Sequence, residues 1–241
     1  MVWVIIPAAG QGKRMGAGIN KVLLPLLDRP VLAWTLAAIQ QAETIQGIVL
    51  VGQPHDRDPF LQVVQDYGID KSLHFVVGGT TRQESVGAGI DWLQQQGWEG
   101  GVLVHDGARC LATPDLLNRC ATALATELAL VAAIPVKDTI KVAQPTSGSR
   151  WQVVSTPDRS HLWAAQTPQG SRLSLLAQAH AQARQAGWDL TDDVALLEQL
   201  GIPVTIIVGE ETNLKLTTPA DRVWAETILQ QRYPGEKGVR G

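Results

Sequence analysis

The chain opens with an apolar run, Val2 to Ile6, that passes at once into Pro7-Ala-Ala-Gly-Gln-Gly-Lys-Arg-Met-Gly-Ala-Gly-Ile-Asn-Lys21. Five Val/Ile-rich residues read as a strand buried on both faces. Behind them, Ala8, Ala9, Gly10 and Gly12 let backbone N–H groups approach a ligand closely, and Lys13, Arg14 and Lys21 add three cations. A small-residue turn with that much positive charge, at the carboxyl end of a first strand, suits a nucleoside triphosphate. Backbone amides and Lys/Arg side chains neutralise its phosphates together. The competing interpretation is a glycine-rich turn with solvated charges.

Two familiar phosphate loops are excluded by their spacing. A P-loop needs Gly-Lys-Ser/Thr, but Arg14 follows Gly12-Lys13, so the metal-binding hydroxyl is missing. The dinucleotide fingerprint needs a third glycine where Met15 stands, and the second strand, Gly47 to Val51, runs into Gly52-Gln53-Pro54 rather than an acid for a ribose.

Strand-like and helix-like segments alternate along the 241 residues, which predicts an α/β fold with a mainly parallel sheet and helices on both faces. Strands are expected at Val2–Ile6, Gly47–Val51, His74–Val77, Gly101–Val104, Leu128–Pro135 and Val204–Val208. Helices are expected near Pro30–Gln41, Asp58–Tyr67, Arg82–Gln95, Pro114–Ala125, Arg172–Gln185, Asp193–Leu200 and Pro219–Gln230, the last capped by Thr217 or Thr218. Lys137 to Trp163 breaks the rhythm. Two β-type runs, Thr139–Val142 and Trp151–Val154, flank the turn-rich Gln144–Ser149 and predict a hairpin arm. A lone hairpin is marginal in water, so a second subunit covers it or it folds back on its own domain. Residues 1–230 are expected to form one domain carrying this arm, with a disordered tail at 231–241.

Composition narrows the function. A net charge of −3 leaves no nucleic-acid footprint, so the cations near residue 14 are local and suited to a small anion. Cys110 and Cys120 lack histidine partners and fit neither a disulfide framework nor a zinc site, which points to reduced thiols in a cytosol-like compartment. No stretch of 18 apolar residues exists and the apolar start lacks signal-peptide charges, so the expectation is a cytoplasmic protein without membrane contact.

In an open parallel sheet, ligands bind beyond the carboxyl ends of the strands. The third strand exits into Gly78-Gly79-Thr80-Thr81-Arg82-Gln83-Glu84-Ser85, either a base-and-ribose site or a plain turn capped by Thr80 or Thr81. The fourth exits into His105-Asp106-Gly107-Ala108-Arg109. Asp106 can hold Mg²⁺ or orient a substrate hydroxyl while Arg109 reaches a phosphate, or the two can pair and cap the next helix. His105 reads as structural.

Together these loops resemble the 2-C-methyl-D-erythritol 4-phosphate cytidylyltransferase family across roughly Val2 to Leu229. The resemblance also rests on Pro135-Val136-x-Asp138-Thr139-x-Lys141, Asp158-Arg159-x-x-Leu162-Trp163, Gln166-Thr167-Pro168-Gln169, Thr191-Asp192-Asp193 and Asn213-x-Lys215. It implies a Rossmann-like sheet of the nucleotide-diphospho-sugar transferase type. It implies transfer of a cytidylyl group from CTP to methylerythritol phosphate in non-mevalonate isoprenoid synthesis. Arg14 and Lys21 would be the electrostatic catalysts. Ala8, Ala9, Gly10, Gly12, Gly79 and Ser85 would line the CTP pocket, and Asp106, Arg109, Thr139, Arg159 and Lys215 would hold the acceptor. Mg²⁺ would ride mostly on the CTP phosphates near Asp106. The arm would reach across a homodimer, so Thr139 and Arg159 would serve the neighbouring site. Ribitol 5-phosphate is the alternative acceptor, and a non-catalytic CTP sensor is the rival of another class.

Two departures from that family's pattern stand out. The usual Asp-Ala-Ala-Arg-Pro is Asp106-Gly107-Ala108-Arg109-Cys110 here, which changes packing beside the ribose and frees the loop backbone. The lysine commonly stands between proline and glutamine, whereas this chain has Asn20-Lys21-Val22. The charge is retained. Cys110 has no base beside it in sequence and reads as a small loop residue.

Overall fold

The first strand, β1 (Val2–Pro7), divides its side chains between two cores. Val2, Val4 and Ile6 join one buried cluster, while Trp3 and Ile5 join a second on the opposite face. That is the period-two alternation of a strand covered on both sides. The computed structural model describes residues 1–10, 20–188 and 190–234 and identifies what supplies the covers. β2 (Pro25–Leu26) and β3 (Arg29–Pro30) form a small ribbon before α1 (Val31–Gln41). There follow β4 (Ile45–Gly52), α2 (Arg57–Asp66), β5 (Ser72–Val77), α3 (Arg82–Gln95), β6 (Gly101–Val104), α4 (Pro114–Ala123) and β7 (Ala129–Pro135). The chain continues with β8 (Val142–Pro145), β9 (Trp151–Ser155), β10 (Trp163–Arg172), α5 (Leu173–Ala186), α6 (Asp193–Gln199), β11 (Val204–Val208) and α7 (Pro219–Arg232).

Seven strands form one sheet in the order β11-β7-β10-β6-β1-β4-β5. Every neighbouring pair is parallel except those made by β10, which runs antiparallel to both β6 and β7. Leu32 and Leu36 of α1, Phe60 of α2 and Leu116 and Leu117 of α4 bury one face of the sheet. Val86 and Ile90 of α3, Leu173 and Leu176 of α5 and Leu197 of α6 bury the other. A third cluster lets α7 grip the molecule, Ala225 and Leu229 packing with Leu26, Val31, Trp34 and Leu216.

All six anticipated strands are present, but β10 was not foreseen. Its middle, Gln166-Thr167-Pro168-Gln169, is buried yet polar, so no apolar alternation marks it. Those side chains hydrogen-bond to neighbouring loops rather than pack in a core. In the arm, the expected first run is displaced: Val142–Pro145, not Thr139–Val142, pairs with β9. The turn sets this register. Thr146 donates its N–H to the Arg150 carbonyl at 2.9 Å, and Gly148 takes φ +75°, which brings Pro145 opposite Trp151. Pro30 is the N-cap of α1 rather than its first turn. Thr218 caps α7 through a reciprocal box with Asp221, and the helix extends to Arg232, with Tyr233 stacked 5.4 Å from Trp34. The expected disorder therefore does not begin at residue 231, and residues 235–241 lie outside the described residues.

Gly170 tests the close seating of β10. A Cβ there would lie 2.6 Å from Leu103 Cδ2 and 3.0 Å from the Val102 carbonyl oxygen. Gly170→Ala is expected to cost about 1–3 kcal/mol by overpacking. A thermal midpoint equal to that of the wild type would show that β10 and β6 are not held this tightly.

Candidate active site

Beyond the carboxyl ends of β1, β5 and β6, at the point where strand order reverses, lies a pocket of about 170 Å³. Ala9, Gly10, Lys21, Gly79, Ser85, Asp106 and Lys215 line it together with Arg82. The walls close through small residues. A Cβ on Gly78 would lie 2.8 Å from Ser85 Oγ and 3.1 Å from Ala9 Cβ, so the loops after β1 and β5 meet only over a glycine. Ser85 is buried and donates its hydroxyl to the Thr81 carbonyl at 2.9 Å. Thr81, not Thr80, caps α3, with Glu84 returning the bond.

Charge is concentrated on Asp106. Lys215 Nζ lies 2.8 Å from Oδ2, Arg82 Nε 3.1 Å from Oδ1, and Arg109 Nε 3.7 Å from Oδ2. Burial alone would raise the Asp106 pKa, but Arg82, Lys215 and Arg109 outweigh it and hold the carboxyl well below the usual carboxylate range. Arg82 also donates to Asp193 Oδ2 at 2.7 Å. Burial opposes its charge, yet Asp193 and Asp106 together raise its pKa. The Asp106–Arg109 turn is closed by a 2.9 Å backbone bond, but α4 is capped by Thr113, so this ion pair caps no helix.

A polar interior supports these groups. Asp106 N–H donates to Thr167 Oγ1 at 3.1 Å, and Thr167 Oγ1 lies 3.0 Å from His105 Nδ1. His105 Nε2 lies 3.2 Å from the Arg109 carbonyl, which can only accept, so Nε2 carries the proton and Nδ1 receives the Thr167 hydroxyl. Gln166 and Asn213 tether the segment that carries Lys215. Gln166 Nε2 donates to the Glu210 carbonyl at 2.8 Å, and Asn213 Nδ2 to the Thr167 carbonyl at 2.8 Å.

Not every anticipated residue reaches the pocket. Ala8 is buried beneath it, its N–H donated to the Val51 carbonyl at 2.8 Å. Arg109 sits behind Asp106, its Nη1 donating to the Asn213 carbonyl at 2.7 Å, while its buried Nε has no hydrogen-bond partner among the described residues. Thr139 and Arg159 are exposed and line no part of the pocket, and Arg159 donates to the Lys137 carbonyl at 2.6 Å. Gly12 and Arg14 lie outside the described residues. Arg82, Gln166, Asp193 and Asn213 stand within the sequence motifs, where no role attached to them. The signal available was the position of Arg82 and Asp193 at helix starts; Gln166, in the middle of β10, and Asn213, in the loop after β11, carried none.

The departures are accommodated. A methyl group on Gly107 would sit 3.3 Å from Ile6 Cγ2 and 3.5 Å from Ala8 Cβ, so alanine fits there with a small adjustment. Cys110 and Cys120 are buried and unpaired, and burial pushes both thiols up to about 12, which leaves neither as a nucleophile. Among the described residues, no group of three or more His, Cys, Asp or Glu could hold a metal, and Asp106 is the one carboxylate lining the pocket. No described helix is long and apolar enough to cross a membrane.

The fold and the cationic pocket define a nucleotide-handling α/β protein. More narrowly, the chain belongs to the 2-C-methyl-D-erythritol 4-phosphate cytidylyltransferase family, whose model matches residues 2–231. It is 56% identical over 229 residues to the Synechococcus protein of that name, covering 95% of this chain and 97% of that relative. The Thermosynechococcus vestitus protein is 52% identical over 238 residues, 99% of each chain. Among solved structures, 4-diphosphocytidyl-2C-methyl-D-erythritol synthase from Anaerococcus prevotii superposes with a TM-score of 0.82 at 29% identity, covering 95% of this chain and 96% of that one. The cytidylyltransferase from Thermus thermophilus gives 0.74 at 33% identity, covering 94% and 98%.

His105 carries a pH prediction. Burial, reinforced by Arg109 and only partly offset by Asp106, lowers its pKa from 6.5 to about 4. The unfolded chain therefore takes up a proton that the folded one refuses between those values. The stabilisation is complete above pH 6.5 and declines as pH falls toward 4. The slope contributed approaches about 1.4 kcal/mol per pH unit. Urea midpoints measured across this window should fall less steeply for His105→Gln than for wild type; parallel slopes would refute the assignment.

Proposed function

We propose that this protein joins CTP to 2-C-methyl-D-erythritol 4-phosphate, giving 4-diphosphocytidyl-2-C-methyl-D-erythritol and pyrophosphate. The observation that carries the proposal is the convergence of Ala9, Gly10, Lys21, Gly79, Ser85, Asp106 and Lys215 on one pocket, in a chain of this family. Relatives and solved structures named for this activity, spanning nearly the whole chain, favour methylerythritol phosphate over ribitol phosphate as acceptor.

The chemistry fits the groups present. A phosphate oxygen of the acceptor attacks the α-phosphorus of CTP in line. The bond to the β-phosphate oxygen breaks, and pyrophosphate departs with that electron pair. The attacking oxygen is already anionic at pH 7, so no base has to remove a proton. That agrees with a site whose carboxylate is held too acidic to serve as one. Catalysis then consists of positioning and of cations placed where charge develops, the role given to Arg14 and Lys21. Gly79 and Ser85 are suited to the nucleoside, and Ala8 to backing the small-residue wall. Lys215, which lines the pocket, is suited to the acceptor phosphate, and Arg109 would add its charge from behind Asp106.

Magnesium fits this donor set. It binds through one or two carboxylates plus substrate phosphates, and Asp106 offers one carboxylate on the pocket wall. When bound, it would neutralise charge on the phosphates. The buried, unpaired Cys110 and Cys120 support a reducing, cytoplasmic setting.

The arm supports a homodimer. Val142, Trp151, Val153 and Val154 are all exposed on β8 and β9, Trp151 at 68%. A two-stranded hairpin with that much apolar surface needs a cover. A second copy would supply it and would bring Thr139 and Arg159 to the neighbouring pocket.

Lys21→Ala should fold normally and lose roughly 10²–10³ in pyrophosphate release, as when one preorganised transition-state donor is removed. Wild-type turnover would strike Lys21 from the mechanism. Arg159→Ala should raise KM for methylerythritol phosphate far more than KM for CTP, and an equal rise in both would refute its acceptor role. In sedimentation velocity, Trp151→Asp should shift the enzyme from dimer to monomer; an unchanged dimer would exclude the arm as the interface.

A further inference from the structure

Asn20 and Asp56 are buried polar residues to which the foregoing mechanism gives no task. Asn20 Nδ2 donates to the Ala8 carbonyl at 2.6 Å and to Asp56 Oδ2 at 3.0 Å. Its Oδ1 accepts the Val22 N–H at 3.3 Å. One carboxamide thus links the end of β1 with both neighbours of Lys21 in the backbone. The chain of contacts continues. Asp56 Oδ2 also accepts the Gln53 N–H at 3.0 Å, and Gln53 Nε2 donates to the Gly79 carbonyl at 3.0 Å. Lys21 and Gly79 stand on the pocket wall, so the path Asn20–Asp56–Gln53–Gly79 spans from one lining residue to the other behind it.

Stability alone does not account for this pairing. Asp56 is 3% exposed, and its Oδ2 accepts both the Asn20 amide and the Gln53 backbone N–H. Among the described residues, the basic side chain beside it is His55, 3.7 Å away and largely solvent-exposed. Burying a carboxylate in this way costs free energy that an apolar pair of the same volume would not. What it gains is direction, because each bond specifies where a backbone segment sits.

We infer that Asn20 and Asp56 are positioning residues, forming a buried strut that sets the Lys21 ammonium against the Gly79 wall of the pocket. The inference rests on the reading of Lys21 as an electrostatic catalyst. A displacement of about 1 Å in such a group can cost on the order of a hundredfold in rate. The strut therefore acts on kcat and leaves acceptor binding alone.

The test compares steady-state kinetics of the full-length enzyme with Asn20→Ala, Asn20→Asp and the exchange Asn20→Asp/Asp56→Asn, and with Lys21→Ala as reference. Each variant is first checked for native circular dichroism. Asn20→Ala should lower kcat at least about tenfold, with KM for methylerythritol phosphate within about twofold of wild type. Asn20→Asp sets two carboxylates face to face and should lose more. The exchange restores a carboxamide–carboxylate bond in the opposite order, without the bond that Asn20 gives the Ala8 carbonyl, and should recover part of the loss, at least about twofold over Asn20→Asp. That recovery is something a merely structural role in folding would not predict for kcat at constant KM. Wild-type kcat in Asn20→Ala, or no recovery on exchange, overturns the strut. If Lys21→Ala keeps wild-type kcat, the reading beneath the strut falls with it. If Lys21→Ala loses turnover while Asn20→Ala does not, only the strut falls.

Discussion

The contact of Asp106 with three cations holds the site together. Its carboxylate joins the loop after β6 to Arg82 at the start of α3 and to Lys215 in the segment after β11. Arg82 extends the connection to Asp193 at the start of α6. Arg109 carries it to the Asn213 carbonyl. Four segments far apart in sequence are thereby fixed around one anion. Because Asp106 remains ionised far into acid, the charge that holds these segments persists well below neutral pH.

The sheet makes this meeting possible. β1 lies between β4 and β6, so the chain builds one side of the sheet before turning to the other, and the loops after β1, β5 and β6 open into the same space. Antiparallel β10, wedged between β6 and β7, brings Gln166, Thr167 and Gln169 up beneath that space. Thr167 holds the Asp106 amide, Gln166 holds the segment before Lys215, and Gln169 accepts the N–H groups of Asp193 and Val194. The polar centre of one strand thus orients three parts of the site.

This division of labour explains what could be read in the sequence. The parallel strands were legible because Val2–Ile6 and Gly101–Val104 are continuous apolar runs, buried on both faces. The pocket loops were legible because glycines and cations crowd the strand exits, and Ala9, Gly10, Lys21, Gly79, Ser85, Asp106 and Lys215 do share one pocket. β10 was hidden because its residues satisfy hydrogen bonds rather than a hydrophobic period, and periodicity reports only the latter. The pairing of Arg82 with Asp193 joins residues 111 positions apart, a distance that no local pattern encodes. The register of the arm depended on the Thr146–Arg150 turn, and one shifted turn displaces a whole strand.

The charged cluster also bears on why such a site persists. Taking Asp106, Arg82, Arg109 and Asp193 out of water carries a desolvation penalty that their mutual attraction need not recover, and well-packed apolar residues of similar volume are often as stable or more so. Stability is therefore a poor reason for placing them together. A reaction between two phosphorylated molecules supplies a better one, since its main obstacle is the repulsion between anions and the charge that grows on the departing pyrophosphate. Cations held rigidly by buried carboxylates meet that charge without having to reorganise. The same carboxylates offset the mutual repulsion of those cations before substrate arrives. Arg82 sits about 3 Å from Asp106 and from Asp193 rather than free to swing. A network that costs folding free energy and removes motion from charged side chains is what catalysis by fixed electrostatics requires.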